Sequence, residues 1–384
     1  MSLPIIKATG THYEVGRQIG TQVKQLLQRY FETVEKDFLK TDECHKLYSG
    51  YLKVTNDNYP QYVEELQGIA DGAGVSFEKI FMSNLYELVI LERKSEAMGL
   101  RCTDVFLNTE STQVIAHNED ALSKECGYSF IVDVCCINDR PRGRLLVPEE
   151  RFVSYCYPGA LSGAAFSYNS DGLVTTVNYI TGKYVKKDRL PMSMLLRASL
   201  SASSPDHLTE IIRNVGSGVG TAVSMNAAFL SNKDVVYIYE IYNKETDERV
   251  QTNFKLIEIK KRNESVPTES VPTESHSSEP VYGYYYHCNQ LRLVPDACDA
   301  TISSQKRTEF LENSTLPQTK ADLCNILSHP RIWRPIESMD GHEDGSLTLA
   351  CAIFDLANEN LEVYTSKRPS LGGIPDITLK LDNF

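Results

Sequence analysis

No apolar run in this chain reaches the length that a bilayer crossing demands, so a membrane span is excluded. Basic clusters are missing as well. Lys and Arg number 39 against 51 Asp and Glu, the formal net charge is −12, and no nucleic-acid partner is expected. The 10 cysteines are scattered and none forms Cys-x-x-Cys, so neither a zinc site nor a dithiol redox pair is indicated. His287-Cys288 is too isolated to change that. There is no P-loop and no Gly-x-Gly-x-x-Gly after a strand. The glycine-rich stretch at 216–221 follows a predicted helix, so no nucleotide cofactor is expected. The first residues lack the apolar core of a signal peptide. The expected location is therefore cytoplasmic, with reduced thiols.

What is present reads in two blocks. Hydrophobic residues at 41% and charged residues at 23% suit a globular protein. Thr11-His-Tyr-Glu14 has the form of a capping box, and apolar residues recur at three- and four-residue steps from Val15 to Phe38, predicting one long helix. Gly16 and Gly20 lie on one face of it and predict a close backbone contact. Further helices are predicted over 60–70 and from Ser76 onward. After residue 101 strand signals dominate, with hairpins around 169–172, 231–234 and 357–360 and helices near 192–201, 205–215, 303–312 and 321–327. Helices and antiparallel strands in separate blocks argue an α+β fold. Between them, 263–280 contains Glu264-Ser-Val-Pro-Thr268 repeated as Glu269-Ser-Val-Pro-Thr273, and reads as a disordered insert.

The seam between the blocks is 98–120. Short apolar runs at 102–107 and 113–116 flank a polar turn, which is a hairpin pattern. Cys102 opens the first strand, and Asn118 and Asp120 close the second. An antiparallel pair sets the start of one strand beside the end of the other, so a thiol and a carboxylate meet. A cysteine on a strand is ordinarily just a half-buried side chain, and Asp120 alone would read as a turn cap.

Five stretches add to this: Gly10-Thr-His-Tyr-Glu-Val-Gly-Arg-Gln-Ile-Gly20, Arg101-Cys-Thr103, His117-Asn-Glu-Asp120, Tyr157-Pro-Gly159 with Asn169-Ser-Asp-Gly-Leu173, and Ser224-Met-Asn226. Ser304-Gln-Lys-Arg307 is a weaker sixth. In this order they resemble the N-terminal-nucleophile cysteine hydrolases of the isopenicillin-N acyltransferase type. The resemblance implies a four-layer αββα sandwich and a precursor that cuts itself between Arg101 and Cys102. A helical segment 1–101 and a β-rich segment 102–384 would stay associated as one domain, with a homodimer left open. The freed α-amine of Cys102 would be the base for its own thiol. The resemblance also implies that Asp120 holds that amine, that Asn226 donates to the oxyanion and that Arg307 orients substrate or nucleophile. Asn118, Thr103 and His117 would support them. No metal or other cofactor is implied. Arg101 is bulkier than the small residue usual before the cysteine. Asp104 stands where a second threonine is common, and His117 where glutamine is common.

The implied activity is hydrolysis of small N-acyl or N-aminoacyl amides, with β-alanyl conjugates of biogenic amines such as β-alanyl-dopamine as the leading class. Acyl transfer between amines and an unprocessed, non-catalytic relative are the alternatives. A Cys-His protease built on His117 is a further reading, although no motif that would orient the histidine accompanies it.

Overall fold

The computed structural model describes residues 3–33, 42–92, 101–246, 250–263, 281–335, 345–365, 367–370 and 373–382. The insert expected over 263–280 lies almost wholly outside the described residues.

Thr11 caps helix α1 (His12–Gln22) with the predicted reciprocal Glu14 bond. The long helix expected from Val15 to Phe38 is instead divided at Val23, and its last stretch, 34–38, lies outside the described residues. A second helix, α2 (Lys24–Thr33), starts after Val23 caps α1. Gly16 and Gly20 face helix α4 (Pro60–Ala73), where a Cβ on either would run into the backbone carbonyl of Glu65 or Ile69. Gly68 and Gly72 return the contact from α4 against the Tyr13 and Arg17 carbonyls. The predicted close approach is therefore mutual. Helices α3 (Asp42–Asn58), α5 (Phe77–Ser83), α6 (Tyr86–Glu92), α7 (Met192–Ser199) and α8 (Pro205–Arg213) complete this layer.

Among the described residues, fourteen strands follow one another in the order β1-β4-β5-β6-β7-β8-β9-β10-β11-β2-β3-β12-β13-β14. The ribbon is pinched between β10 (Asn253–Lys260) and β11 (Val281–His287), which share only the pairs Ile259↔Val281 and Lys260↔Tyr282. On one side lie β1 (Ile5–Gly10), β4 (Phe130–Ile137), β5 (Glu149–Cys156), β6 (Ser167–Asn169), β7 (Leu173–Tyr179), β8 (Val223–Phe229) and β9 (Asn232–Tyr242). On the other lie β2 (Arg101–Asn108), β3 (Gln113–Leu122), β12 (Ser346–Asp355), β13 (Asn360–Tyr364) and β14 (Ile377–Lys380).

Side-chain alternation shows that the halves stack. In β9, Tyr237, Tyr239 and Ile241 join the core under the N-terminal helices. Val236 and Ile238 join a second core with Phe106 and Ile115 of β2 and β3, while Val105, Leu107, Val114 and Ala116 fill that core from the opposite face of the hairpin. Leu311 of α9 (Ile302–Glu312) and Leu323 and Leu327 of α10 (Lys320–Leu327) belong to that second core as well. The order of layers is helix, sheet, sheet, helix, an α+β sandwich of the expected kind.

A buried charge cluster joins the segments before and after the seam. His12 Nδ1 meets Glu65 Oε2 at 2.8 Å, and Arg197 binds Glu65 at 3.0 Å and Glu150 at 2.7 Å. His12 and Glu65 precede residue 101; Glu150 and Arg197 follow it.

Candidate active site

Strands β2 and β3 are buried along almost their whole length, on both faces. Strands in that position are ordinarily continuous apolar runs. These carry Asp104, His117, Glu119 and Asp120, all fully buried. Burying so much charge is costly, and the expense marks a functional site.

The hairpin register decides which groups meet. Asn108 pairs with Gln113, and the pairing runs back to Asp104↔His117, Thr103↔Asn118, Cys102↔Glu119 and Arg101↔Asp120. Paired residues share a face. Cys102, Asp104, His117 and Glu119 therefore point one way, while Arg101, Thr103, Asn118 and Asp120 point the other. The carboxylate beside the thiol belongs to Glu119, not to Asp120.

On the thiol face, Cys102 Sγ donates to Glu119 Oε2 across 3.8 Å. The same oxygen is 2.8 Å from His117 Nε2, and Glu119 Oε1 accepts from the Tyr157 hydroxyl at 2.6 Å. His117 Nδ1 lies 3.0 Å from Asp104 Oδ2. Asp104 also accepts from Thr176 Oγ1 at 2.6 Å and Asn178 Nδ2 at 2.7 Å. Asn226 Nδ2 stands behind these, donating to Thr176 Oγ1 at 3.1 Å and Asn178 Oδ1 at 2.9 Å. The expected oxyanion donor thus has both amide hydrogens engaged, and it reaches the site through Asp104.

Burial pulls the pKa of His117 down, but the flanking charges and hydrogen bonds of Asp104 and Glu119 outweigh it and hold the group at about 10. His117 is an imidazolium with both nitrogens engaged and has no lone pair for a thiol proton. This removes the Cys-His protease reading. Burial, and then the charges of Glu119, Asp104 and Asp120, push the Cys102 thiol well above its ordinary value; Arg307 opposes them.

The main chain of residue 102 is clamped separately. Its N–H donates to Asn289 Oδ1 at 2.9 Å. Arg307 Nη1 donates to its carbonyl at 2.5 Å and to Thr103 Oγ1 at 2.7 Å, while Arg307 Nη2 donates to Asn289 Oδ1 at 2.7 Å. Arg307 is itself buried, and Asn289 Nδ2 is fixed on the Tyr179 carbonyl at 2.9 Å. Asn118 Nδ2 ties β3 to the Leu327 carbonyl of α10 at 3.0 Å. Asp120 lies opposite Thr348 in register. Burial raises its carboxyl to about 6, against the charges of Arg334 and Arg307 and the Thr348 hydroxyl.

Comparison with known proteins places this arrangement. The sequence profile of the acyl-coenzyme A:6-aminopenicillanic acid acyl-transferase family matches residues 107–369. The chain belongs to that family. The matched stretch holds Asp120, Asn226 and Arg307 and begins beyond Cys102. Membership makes the chain an enzyme of acyl-transfer and amide-bond chemistry. A β-alanyl-dopamine/carcinine hydrolase of Drosophila melanogaster is 29% identical over 96% of this chain and 94% of its own length. A mutant of the conjugated bile acid hydrolase of Clostridium perfringens aligns in structure with a TM-score of 0.40 and 13% identity, covering 73% of this chain and 94% of its own. The penicillin V acylase of Agrobacterium tumefaciens aligns with a TM-score of 0.36 and 10% identity, over 69% and 82%.

Three groups escaped sequence reasoning. Glu119 was recoverable, because a hairpin closed by Asn108 and Gln113 has paired numbers summing to 221, and 102 + 119 gives that sum. Tyr157 lies in the Tyr157-Pro-Gly159 stretch, where nothing local assigns it to Glu119. Asn289 is 187 residues from Cys102 and carried no local signal.

Proposed function

We propose that this protein is a self-processing cysteine amidohydrolase for small N-acyl amides, with aminoacyl conjugates of amines, β-alanyl amines first among them, as the leading substrates. The observation that carries the reading is the clamp on residue 102. Asn289 and Arg307 hold its nitrogen and carbonyl, while its thiol sits on Glu119. Both atoms that the chemistry needs are positioned by buried groups.

In the precursor, Cys102 Sγ attacks the Arg101 carbonyl carbon. The bond from that carbon to the Cys102 nitrogen breaks, and the nitrogen takes the thiol proton. Water then hydrolyses the thioester, leaving an Arg101 carboxylate and a free α-amine with a reference pKa of about 7.7–8.0. Near neutral pH that amine accepts the thiol proton. The thiolate attacks a substrate amide, the leaving amine takes the proton back, and water hydrolyses the resulting thioester. Arg307 and Asn289 are assigned to hold the nucleophile, and Asp120 to act on the amine from the opposite face. Asn226 positions Asp104. The His12–Glu65–Glu150–Arg197 cluster is assigned to keep the two fragments together.

Two variants test this. Cys102→Ala should abolish self-cleavage and amide hydrolysis together, and Cys102→Ser should retain slow cleavage through an ester. Intact mass should show two fragments meeting at Arg101/Cys102 in the wild type and one 43.2 kDa chain in Cys102→Ala. Cleavage at that bond in Cys102→Ala would sink the proposal. Acyl transfer, in which an amine captures the thioester, is the second reading, favoured by the description of the matched family. Adding an acceptor amine to the assay separates the two.

A further inference from the structure

Glu119 touches the nucleophile, yet the amine-based mechanism gives it no task. Its surroundings do. Asp104 is closed by three donors, Thr176, Asn178 and His117. Asp104 and Glu119 share the one histidine between them, and Glu119 is the carboxylate that also faces the thiol. Glu119 receives His117, the Tyr157 hydroxyl and the thiol hydrogen of Cys102. A carboxylate offers about four acceptor positions, so this one has room for a further donor. When Cys102 becomes a thioester, its S–H disappears and Glu119 loses a partner at the moment the acyl group arrives.

We propose that Glu119, with Tyr157, is the seat for an ammonium group on the substrate's acyl chain, and that it makes the enzyme selective for short aminoacyl amides. The inference rests on Cys102 being the acylated nucleophile. Two methylenes beyond a thioester carbonyl place a terminal ammonium about 4–5 Å from the sulfur by ordinary bond lengths. Glu119 Oε2 stands 3.8 Å from that sulfur, so a hydrogen bond between them closes without strain. Tyr86 and Tyr179 add aromatic faces suited to a cation. Their ring centroids are 4.6 Å apart, and Asn289 links the Tyr179 carbonyl to the Cys102 nitrogen. Tyr86 and Tyr157 are half-buried, whereas the thiol is fully buried, so the aromatic wall leads outward from it. An isosteric acyl chain ending in methyl would press an apolar group against a buried acceptor.

The test compares β-alanyl and butanoyl amides of one amine. The wild type should favour the β-alanyl compound by roughly 10- to 100-fold in kcat/KM, the range of a hydrogen bond to a charged group, and Glu119→Gln should collapse that ratio toward one. Glu119→Asp should recover part of it. A second measurement avoids amide hydrolysis. Cys102 is labelled with 2-aminoethyl methanethiosulfonate and with the neutral ethyl reagent, each leaving methanesulfinate and a mixed disulfide, and the rates at residue 102 are read by mass spectrometry. Relative to free cysteine, the wild type should prefer the cationic reagent and Glu119→Gln should not. A wild type with no preference in either assay overturns the inference, whatever the variants do. A labelling preference lost in Glu119→Gln, in a protein that hydrolyses neither amide, upholds the ammonium seat and overturns the hydrolase reading instead.

Discussion

Replacing His117 by glutamine should cost stability in a way that pH reveals. Glutamine is the residue common at this place in the family that the chain resembles, so sequence alone suggests a harmless change. The structure suggests otherwise, because His117 bridges Asp104 at 3.0 Å and Glu119 at 2.8 Å with no exposure to water. Its folded pKa of about 10 exceeds the reference of about 6.5 for an unfolded histidine. A raised histidine stabilises the fold fully below the unfolded value, and the contribution is lost as pH rises through the folded value. At pH 7 the proton-linked part is about 4 kcal/mol and at pH 9 about 1.4 kcal/mol. Breaking a buried pair independently suggests about 3–5 kcal/mol.

The assay is urea unfolding in the Cys102→Ala background, which keeps the chain in one piece, with and without His117→Gln. The stability gap between the two proteins should shrink by about 2–3 kcal/mol between pH 7 and pH 9. Adding Asp104→Asn to His117→Gln should recover stability, because the unpaired carboxylate goes with its partner. A gap under about 1 kcal/mol at pH 7, or one unchanged at pH 9, would refute the buried imidazolium.

Asp120→Asn should act in the opposite sense on stability. A carboxyl raised to about 6 binds protons more tightly folded than unfolded, so stability falls as pH rises from the unfolded value of about 3.9 to 6. The variant should therefore be more stable than wild type by about 3 kcal/mol above pH 7 and equal to it below pH 4, measured by thermal unfolding, while amide hydrolysis drops. Arg197→Met should destabilise by about 3–5 kcal/mol, since Glu65 and Glu150 lose the guanidinium and are left sharing His12. Urea midpoints check this, and Arg197→Met combined with Glu65→Gln and Glu150→Gln should lie closer to wild type.

Local signals carried much of the fold. The hairpin around 169–172 formed as expected, since turn residues between alternating strands leave few other conformations, whereas the one expected around 231–234 turns at 230–231, with β9 already begun at Asn232. The helix expected from Val15 to Phe38 failed where α1 ends at Val23, with neither glycine nor proline to mark the break. Strand β5 was passed over because Glu149, Glu150 and Arg151 hide its alternation, and Glu150 is charged for the sake of Arg197 far along the chain. In the site, Cys102 and the facing strand were legible, but the face each side chain takes was not. A register error of one residue exchanges Glu119 for Asp120. The clamp of Arg307 and Asn289 depends on tertiary packing alone.

The two faces of β2 bear on the proposal that one residue serves as both nucleophile and base. A strand sends its side chain to one side and keeps its nitrogen in the sheet, so the thiol and the prospective amine of Cys102 occupy different surroundings although few bonds separate them. The thiol lies over Glu119, whose charge resists thiolate formation, and the nitrogen donates to Asn289 Oδ1, which Arg307 also binds. Before cleavage that nitrogen is an amide, whose lone pair is delocalised into the carbonyl, and it cannot serve as the base. The raised thiol therefore stays protonated and quiet in the precursor except toward the neighbouring Arg101 carbonyl. The proposed cleavage would turn the same nitrogen into an amine with a lone pair, in a position already built for it. The charge pattern that makes the precursor unreactive toward other acyl groups thus comes to favour an incoming ammonium once the amine can deprotonate the thiol. Self-cleavage would switch on the nucleophile without any rearrangement of the sheet.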